Sequence, residues 1–316
     1  MTPPTVPPAP SGRTARRLEW QHLPPRIRGV VETRCGSPVT EAFTQTSGFT
    51  PGFASVLVCA DGSRHFVKAA SWKAQKAFAT AYAEEAQKVA ALPEGVPAPR
   101  LLWTHQDTEW IVLGFQHVTG RAPHRPWRPD DLDACLAMLA RTAAELTPAP
   151  PAMELERFAV ELSDWPSCWD YCLGTYVLPH GAEAATLAAR FAEVTDGETV
   201  VHTDVRDDNL LITGAGDVLL CDWNWPVAGA PWLDSLFLLI GPRGDGLDVE
   251  TLLATHPTFA GVPAEAIDIV LALVTGYFLQ HADDPVPSSS PFIRDHQLWQ
   301  GEVCWEWLCE RRGWES

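Results

Sequence analysis

The chain has 316 residues, of which 46% are apolar, and a formal net charge of −17. This length and apolar fraction suffice for one large domain or for two lobes around a cleft. The acidity argues against a nucleic acid or an anionic membrane as the partner, because phosphate-rich surfaces bind basic faces. It is compatible with a cationic small-molecule substrate, and equally with a surface that is acidic for solubility alone.

The cysteines and the hydropathy bear on the compartment. None of the eight cysteines forms a Cys-x-x-Cys pair, and no histidine pair accompanies them at zinc-finger spacing. No apolar run approaches the roughly 18 residues that span a bilayer. We therefore expect a cytoplasmic protein with reduced cysteines. The sequence gives no indication of the oligomeric state.

The chain opens with a tail, a helix and three strands. Residues 1–19 are rich in proline and poor in large apolar side chains, which predicts a disordered tail. A short helix is expected over Pro24 to Thr33. Three strands follow, with Asp61-Gly62 as a strong hairpin turn between the second and the third. Their expected bounds are Val39–Ser47, Phe53–Ala60 and Ser63–Ala69.

The helix predicted after the third strand carries a glutamate that could pair with Lys68. Lys68 lies near the end of the third strand, where a lysine alone would usually extend to solvent. The stretch from Trp72 to Leu92 has apolar residues at three-to-four spacing, which predicts a helix. Glu85 lies on its apolar face and Glu84 on its polar side. Because an unpaired carboxylate on a buried face is costly, we expect an ion pair between Lys68 and Glu85.

The following residues complete a sheet, and the rest of the chain is mainly helical. Strands expected at Leu101–Thr104 and Trp110–Phe115 give a five-stranded antiparallel sheet with one long helix. Asp130 is expected to cap the first of the later helices. The helical stretches are Asp130–Leu146, much of Arg157–Leu178, Glu183–Val194, Ala264–His281 and Phe292–Arg312.

A predicted hairpin near residue 210 brings together polar side chains that could bind a metal. Two apolar runs, Leu210–Thr213 and Val218–Cys221, flank a four-residue glycine-rich loop. Symmetric pairing about that loop sets Asn209 opposite Asp222. An amide oxygen and a carboxylate suit Mg²⁺, and Asp204 in the preceding loop adds a second carboxylate. The alternative is a solvated acidic turn.

The motif over residues 202–209 extends this interpretation. His-x-Asp-x-x-x-x-Asn, followed by a strand pair that ends in Asp222, resembles the catalytic and metal-binding segments of the protein-kinase superfamily. His-Thr-Asp in place of His-Arg-Asp, and Asp-Trp in place of Asp-Phe-Gly, make the chain most similar to the aminoglycoside phosphotransferase and choline-kinase-like family. The resemblance implies that Asp204 is the catalytic base and that Asn209 and Asp222 hold Mg²⁺.

The resemblance also assigns supporting and nucleotide-binding residues. His202 and Asp234 would brace the catalytic loop, and Arg206 would stabilise charge on the transferring group. Gly48 and Gly52 bound a loop that would cover the nucleotide phosphates. The remaining nucleotide contacts would be Lys68, paired with Glu85, and the backbone at Gln116 and Val118 around the adenine. Many relatives have Glu where this chain has Gln116, which leaves both ATP and GTP open as the donor.

The implied fold is α+β and bilobal, like that of the protein kinases. It has an N-terminal nucleotide-binding lobe over residues 20–115, with a five-stranded antiparallel sheet and one long helix. A hinge over 116–121 leads to a larger, mainly helical catalytic and substrate-binding lobe over 122–316. In this family the C-terminal helices wall the acceptor site, although aromatic helix stripes are more often core. The substrate candidates on these helices are Asp295, Trp299, Glu302 and Glu306.

Three functions remain open from the sequence. The leading one is transfer of the γ-phosphate of a Mg²⁺-nucleotide to a hydroxyl of a small molecule, aminoglycoside-like or another amino- or hydroxy-metabolite. The short segment between Asp222 and Asp234 favours it, because a protein-kinase activation loop does not fit there. The second is a kinase of another acceptor class: a sugar, an amino alcohol or a protein. The third is a catalytically silent binding protein with a kinase fold.

Overall fold

The computed structural model describes residues 14–49 and 52–315. The strands formed within these residues are β1 (Val39–Thr44), β2 (Phe53–Cys59), β3 (Arg64–Ser71), β4 (Leu101–Gln106), β5 (Trp110–Gln116), β6 (Gly120–Arg121), β7 (Thr199–Val201), β8 (Leu210–Thr213), β9 (Val218–Leu220) and β10 (Val227–Gly229). The α-helices are α1 (Pro25–Cys35), α2 (Lys76–Ala90), α3 (Pro129–Glu145), α4 (Phe158–Glu161), α5 (Cys168–Thr175), α6 (Gly181–Ala188), α7 (Leu233–Gly244), α8 (Val249–Thr255), α9 (Ala264–Ala282) and α10 (Ile293–Arg312).

The first lobe is a sheet between two helices. Its five strands lie in the order β1-β2-β3-β5-β4, and every neighbouring pair is antiparallel. Successive side chains of a strand point to opposite faces of the sheet, so β5 contributes side chains to the cores on both faces. Val112 packs into the small core with Ile27 and Val31 of α1, while Ile111 and Leu113 belong to the larger core that includes α2.

The second lobe is built around α9, which is buried along most of its length. It packs against α10, α5 and α6. Trp169 of α5 is fully buried, and its Nε1 donates a hydrogen bond to the Ala272 carbonyl at 2.9 Å. Trp299 and Trp307 of α10 are also in this core. The predicted fold class, a bilobal α+β fold with a five-stranded antiparallel sheet and a mainly helical lobe, is confirmed.

A small sheet of order β6-β8-β9 connects the lobes. Strand β6 begins four residues after β5 ends, so the segment that leaves the large sheet pairs with the hairpin at residue 210. A second pair, β7 and β10, lies on either side of that hairpin in sequence. These pairings hold the loop at residues 202–209 and Asp222 in the cleft between the lobes.

The predicted register of that hairpin is wrong by one residue. Leu210 pairs with Leu220, not with Cys221, and the Cys221 N–H donates to the Asn209 carbonyl at 2.8 Å. The loop has three residues because Gly216 adopts φ +89°, a left-handed conformation that closes such a turn. Asn209 therefore lies opposite Cys221, and Asp222 is one residue further along.

Other predicted boundaries also need correction. Residues 14–19 of the predicted disordered tail have defined structure, with Thr14 buried, whereas residues 1–13 lie outside the described residues. Helix α2 begins at Lys76 rather than at Trp72, and α3 begins at Pro129 with no side-chain cap, so Asp130 lies in its first turn. The expected helix over 183–194 is the shorter α6 followed by a 3₁₀ turn. Within the described residues, no helix combines the length and apolarity needed to cross a bilayer.

Candidate active site

Two cavities meet at the loop formed by residues 202–209. The first, of about 430 Å³, lies between the large sheet and the β8–β9 hairpin and is called here the nucleotide-side cavity. The second, of about 570 Å³, lies among the helices and is called the helix-side cavity. Asn209 and Asp222 line the first, whereas Asp204 and Arg206 line the second. The loop is therefore the wall that the two cavities share.

Most of the residues predicted to bind nucleotide line the nucleotide-side cavity. These are Gly48, Lys68, Glu85, Gln116 and Val118. Gly52 does not line it. A Cβ at position 52 would lie 3.0 Å from the hydroxyl of Tyr82 and 3.3 Å from the Ala69 carbonyl. With φ +139°, Gly52 therefore lets the chain return to β2 closely against the sheet and α2.

Lys68 holds two carboxylates at the base of this cavity. Its Nζ lies 2.7 Å from Glu85 Oε1, the expected ion pair, and 2.5 Å from Asp222 Oδ1. Burial alone would lower the pKa of Lys68, but the carboxylates of Asp222 and Glu85 outweigh it and raise that pKa. Burial raises the pKa of Glu85 to about 7, whereas Lys68 outweighs burial at Asp222 and lowers its pKa to about 2. Lys68 thus keeps Asp222 ionised at neutral pH.

The backbone is strained where Asp222 leaves the hairpin. Asp222 and Thr203 both have φ +68°, which residues other than glycine rarely adopt. Asn224 Nδ2 donates to Asp222 Oδ1 at 2.8 Å and holds the carboxylate in this position. The left-handed turn brings Asp222 back into the same cavity as Asn209 despite the register difference.

His202 and Asp234 brace the loop from below. The Asp234 carboxylate accepts hydrogen bonds from the backbone N–H groups of His202 and Thr203, at 2.8 and 3.0 Å. His202 is fully buried, and its Nε2 lies 3.0 Å from the Cys221 carbonyl, which can only accept. Burial lowers the pKa of His202, so the ring is a neutral Nε2–H imidazole that ties the loop to the hairpin.

Asn209 connects the two cavities. Its Nδ2 donates to the Asp204 carbonyl at 2.8 Å and to Asp204 Oδ2 at 2.9 Å. Because the amide nitrogen is used in this way, the amide oxygen is the atom that remains for a cation. The Asn209 oxygen and the Asp222 carboxylate, which line one cavity, are a hard oxygen donor set of the kind that Mg²⁺ prefers.

Asp204 is a partly desolvated carboxylate beside an arginine. Arg206 Nη1 lies 2.9 Å from Asp204 Oδ1, and Arg206 Nε lies 3.0 Å from Asp208 Oδ1. Burial raises the pKa of Asp204, and the positive charge of Arg206 partly offsets that effect. The Arg206 guanidinium also lies over the ring of Phe49, 5.2 Å from its centroid, so it is fixed on several sides.

The segment after β5 offers backbone groups to the nucleotide-side cavity. The Gln116 N–H donates to the Arg100 carbonyl at 2.8 Å, and the Gln116 side chain accepts from Arg100 Nε at 3.2 Å. Gln116 is therefore held by the sheet. Two residues on, Val118 lines the cavity, and no described residue hydrogen-bonds its backbone.

The four substrate candidates on α10 do not line the helix-side cavity. All four are described: Asp295 is exposed, Trp299 is buried against Arg125, and Glu302 and Glu306 are half-buried elsewhere. The cavity is lined instead by Ile293, His296, Gln297 and Gln300. These four recur at three-to-four spacing and share one helix face. The four candidates form a neighbouring stripe of the same helix, and their role as substrate contacts stays a prediction.

Residues 14–17, here called the N-terminal strap, were missed because composition alone suggested disorder. The N–H groups of Thr14 and Ala15 donate to the Thr46 carbonyl at 2.8 and 2.9 Å, and the Arg16 N–H donates to the Ser289 carbonyl at 2.8 Å. The strap thus joins the first lobe to a loop beside the helix-side cavity. Arg17 lines the nucleotide-side cavity, where its charge helps to lower the pKa of Asp222.

Comparisons with known proteins identify the family of the chain. A sequence model described as the phosphotransferase enzyme family matches residues 54–263. A search of curated proteins found no match.

Solved structures of phosphotransferases and kinases have a similar fold. Spectinomycin phosphotransferase APH(9)-Ia, in complex with ADP and spectinomycin, has a TM-score of 0.61 at 10% identity, and the match covers 90% of this chain and 98% of that one. Macrolide 2′-phosphotransferase type I has a TM-score of 0.58 at 16% identity, covering 86% and 95%. The amicoumacin kinase hAmiN, in complex with AMP-PNP, Ca²⁺ and Ami, has a TM-score of 0.54 at 10% identity, covering 87% and 92%. At these identities the similarity shows the fold alone.

Proposed function

The chain belongs to the phosphotransferase enzyme family, and on that basis we propose that it transfers the γ-phosphoryl group of a Mg²⁺-nucleotide to a hydroxyl of a small molecule. One observation carries this proposal. The loop at 202–209 presents Asp204 to one cavity and Asn209 to the other, and Asn209 Nδ2 donates to Asp204 Oδ2 at 2.9 Å. Phosphoryl transfer requires such an arrangement, because donor phosphate and acceptor hydroxyl must meet in line.

Asp204 is the catalytic base in this proposal. It accepts the proton of the acceptor hydroxyl as the hydroxyl oxygen bonds to phosphorus and the nucleoside diphosphate leaves. The raised pKa of Asp204 makes it a better proton acceptor than an exposed aspartate. Arg206, 2.9 Å from Asp204, stabilises negative charge on the transferring group. Mg²⁺, when bound by Asn209 and Asp222, neutralises charge on the phosphates.

The nucleotide occupies the nucleotide-side cavity in this proposal. Lys68, which reaches Asp222 and Glu85, contacts the phosphates, and the loop that begins at Gly48 covers them. The backbone at Val118 binds the base. Two of the similar structures contain an adenine nucleotide, one of them with Ca²⁺, which supports a nucleotide and a divalent cation here. We propose ATP as the donor, with GTP as the alternative that the experiment below tests.

The lining of the helix-side cavity suggests a class of acceptor. Its aromatic residues are Phe49, Phe78, Phe158, Trp165, Trp225, Phe237, Tyr277 and Phe278. Among the described residues that line it, the carboxylates are those of Asp204 and Glu161. We propose a hydroxylated acceptor with a large ring or apolar surface and one amine, because a polycation would need more carboxylates. The Nε2 atom of His296, buried and without a described hydrogen-bond partner, is positioned to bind a polar group of that acceptor.

Thermal unfolding tests the donor site first. The wild type is melted with ATP and then GTP, each with and without Mg²⁺, beside Asp222→Asn and the matched exposed control Asp217→Asn. A ligand that binds only the folded state raises the midpoint. We expect a Mg²⁺-dependent increase in the wild type and in Asp217→Asn, and none in Asp222→Asn.

An acceptor panel completes the test. Aromatic and macrocyclic alcohols that carry one amine are compared with polycationic aminoglycosides, and each product is identified by the mass of one added phosphoryl group. Transfer to the first set supports the acceptor proposal, and transfer to the polycations alone contradicts it. If neither nucleotide raises the midpoint, the proposed enzyme activity is wrong and a binding protein with this fold takes its place.

A further inference from the structure

Two thiols and an imidazole lie together on the sheet face opposite the nucleotide-side cavity. Cys35 ends α1, Cys59 ends β2, and His65 is the second residue of β3. The sulfur atoms of the two cysteines and one ring nitrogen of His65 all lie within 4.8 Å of one another. On β3 the neighbours Arg64 and Phe66 line the nucleotide-side cavity, so His65 is on the other face, which α1 covers.

The hydrogen bonds around His65 fix its tautomer. The Ser63 hydroxyl donates to Asp61 Oδ1 at 2.7 Å, because a carboxylate can only accept. In the 3.2 Å contact between Ser63 Oγ and His65 Nε2, the hydroxyl oxygen must therefore accept and Nε2 must carry the proton. In the neutral ring, the Nδ1 atom of His65 then has a bare lone pair. That atom is buried, and no described residue donates a hydrogen bond to it.

Cys35 is not poised as a nucleophile. Burial, together with the neighbouring Cys59, raises the pKa of the Cys35 thiol to about 12, so this thiol stays protonated while no cation is near. A thiophilic cation changes that balance, because it replaces the two thiol protons. Two thiolates and an imidazole are ligands that Zn²⁺ binds strongly.

We propose that Cys35, Cys59 and His65 bind one Zn²⁺ ion through two thiolate sulfurs and His65 Nδ1. Two S–H bonds break, two Zn–S bonds and one Zn–N bond form, and both protons pass to solvent. Water completes the tetrahedron, since Cys35 is only half-buried. The chain from His65 through Ser63 to Asp61 orients the ring, as the carboxylate partners of metal-bound histidines do.

The bound ion would add a cross-link between segments of the first lobe that are distant in sequence. It ties the C-terminal end of α1 to the hairpin of β2 and β3, where the small core of Ile27, Val31 and Leu57 ends. Strand β3 also carries Lys68, three residues beyond His65. The site lies outside both cavities and does not depend on the proposed phosphoryl transfer.

The test uses the purified full chain in a reducing, thiol-free buffer, with Zn²⁺ and Co²⁺ as the probes. After dialysis, elemental analysis should find one Zn²⁺ per chain, and Co²⁺ should give thiolate charge-transfer and tetrahedral absorption bands. Cys35→Ser and His65→Gln should each lose the bands and weaken Zn²⁺ binding by more than about 100-fold, whereas Ser63→Ala should weaken it by about 10- to 100-fold. The matched control Cys168→Ser, a buried thiol elsewhere, should bind as the wild type does.

Three results would overturn the proposal. The first is wild-type protein that shows no thiolate bands with Co²⁺. The second is unchanged Zn²⁺ affinity in Cys35→Ser. The third is a disulfide between Cys35 and Cys59 that persists in the reducing buffer and excludes Zn²⁺, which would assign these thiols a redox role instead. The readouts are metal content and absorption, so a failed acceptor panel leaves them unaffected.

Discussion

Replacing Arg206 with glutamine should move the acid-side midpoint of the pH profile of phosphoryl transfer to higher pH, because Arg206 lowers the pKa of Asp204. The guanidinium lies 2.9 Å from Asp204 Oδ1, with the arginine and aspartate side chains 21% and 30% exposed. Two unit charges about 4 Å apart in an effective dielectric of about 20 attract by about 4 kcal/mol. That energy corresponds to roughly three pH units in a pKa.

Two features of the site reduce this value. Arg206 also pairs with Asp208, so its charge is shared, and the partial exposure of the pair admits screening by solvent and salt. We therefore expect the pKa of Asp204 to rise by about one pH unit in Arg206→Gln. A general base works only when deprotonated. Activity is lost as the pH falls through the pKa of Asp204, and the substitution must move that loss to higher pH.

The measurement is kcat as a function of pH from about 5 to 9, with the acceptor found by the panel and nucleoside diphosphate quantified by chromatography. The proposed role of Arg206 in stabilising the transferring group predicts that the plateau also falls, but the acid-side midpoint is the informative quantity. Arg125→Gln is the matched control, since Arg125 pairs with Asp207 and Asp245 instead. An unchanged midpoint in Arg206→Gln, or one that moves to lower pH, would refute the proposed role of Asp204.

Two further predictions test chemistry and packing. Asp204→Asn should lower kcat by roughly 10²- to 10⁴-fold while nucleotide affinity, measured by calorimetry, stays within about twofold of the wild type; retained turnover would remove the assignment. Gly244→Ala should lower the free energy of unfolding by about 1–3 kcal/mol, because its Cβ would lie 2.2 Å from a ring atom of the buried Trp299. Its control is Gly29→Ala on the exposed face of α1, where nothing lies within 4 Å, and urea unfolding should find it up to about 1 kcal/mol more stable.

Local periodicity combined with the cost of burying charge predicted part of the site. Glu85, rather than Glu84, was predicted to pair with Lys68 because Glu85 lies on the apolar face of the helix. The structure contains that ion pair. The hairpin register could not be obtained in the same way. It depends on one glycine, Gly216, whose left-handed conformation shortens the loop, and on the left-handed turn at Asp222 that compensates for the shift.

Contacts between distant segments were the hardest to predict. The face of α10 that lines a cavity depends on how the helix is rotated about its axis, and its own residues do not encode that rotation. Cys35, Cys59 and His65 are separated by 24 and 6 positions, which matches no compact metal motif. The hairpin of β2 and β3 brings Cys59 close to His65, and α1, which covers the sheet, adds Cys35.

The N-terminal strap has a practical consequence for anyone who prepares this protein. Proline-rich N-terminal segments are often removed from recombinant proteins. A version trimmed at the predicted boundary near residue 20 would lose Arg17 and the hydrogen bonds to Thr46 and Ser289. We expect such a protein to fold and to bind the proposed nucleotide more weakly than the full chain does. An N-terminal purification tag would likewise be joined to a segment that ends beside the nucleotide-side cavity. Trimming that stops before Thr14, with any tag at the other end of the chain, keeps the strap intact.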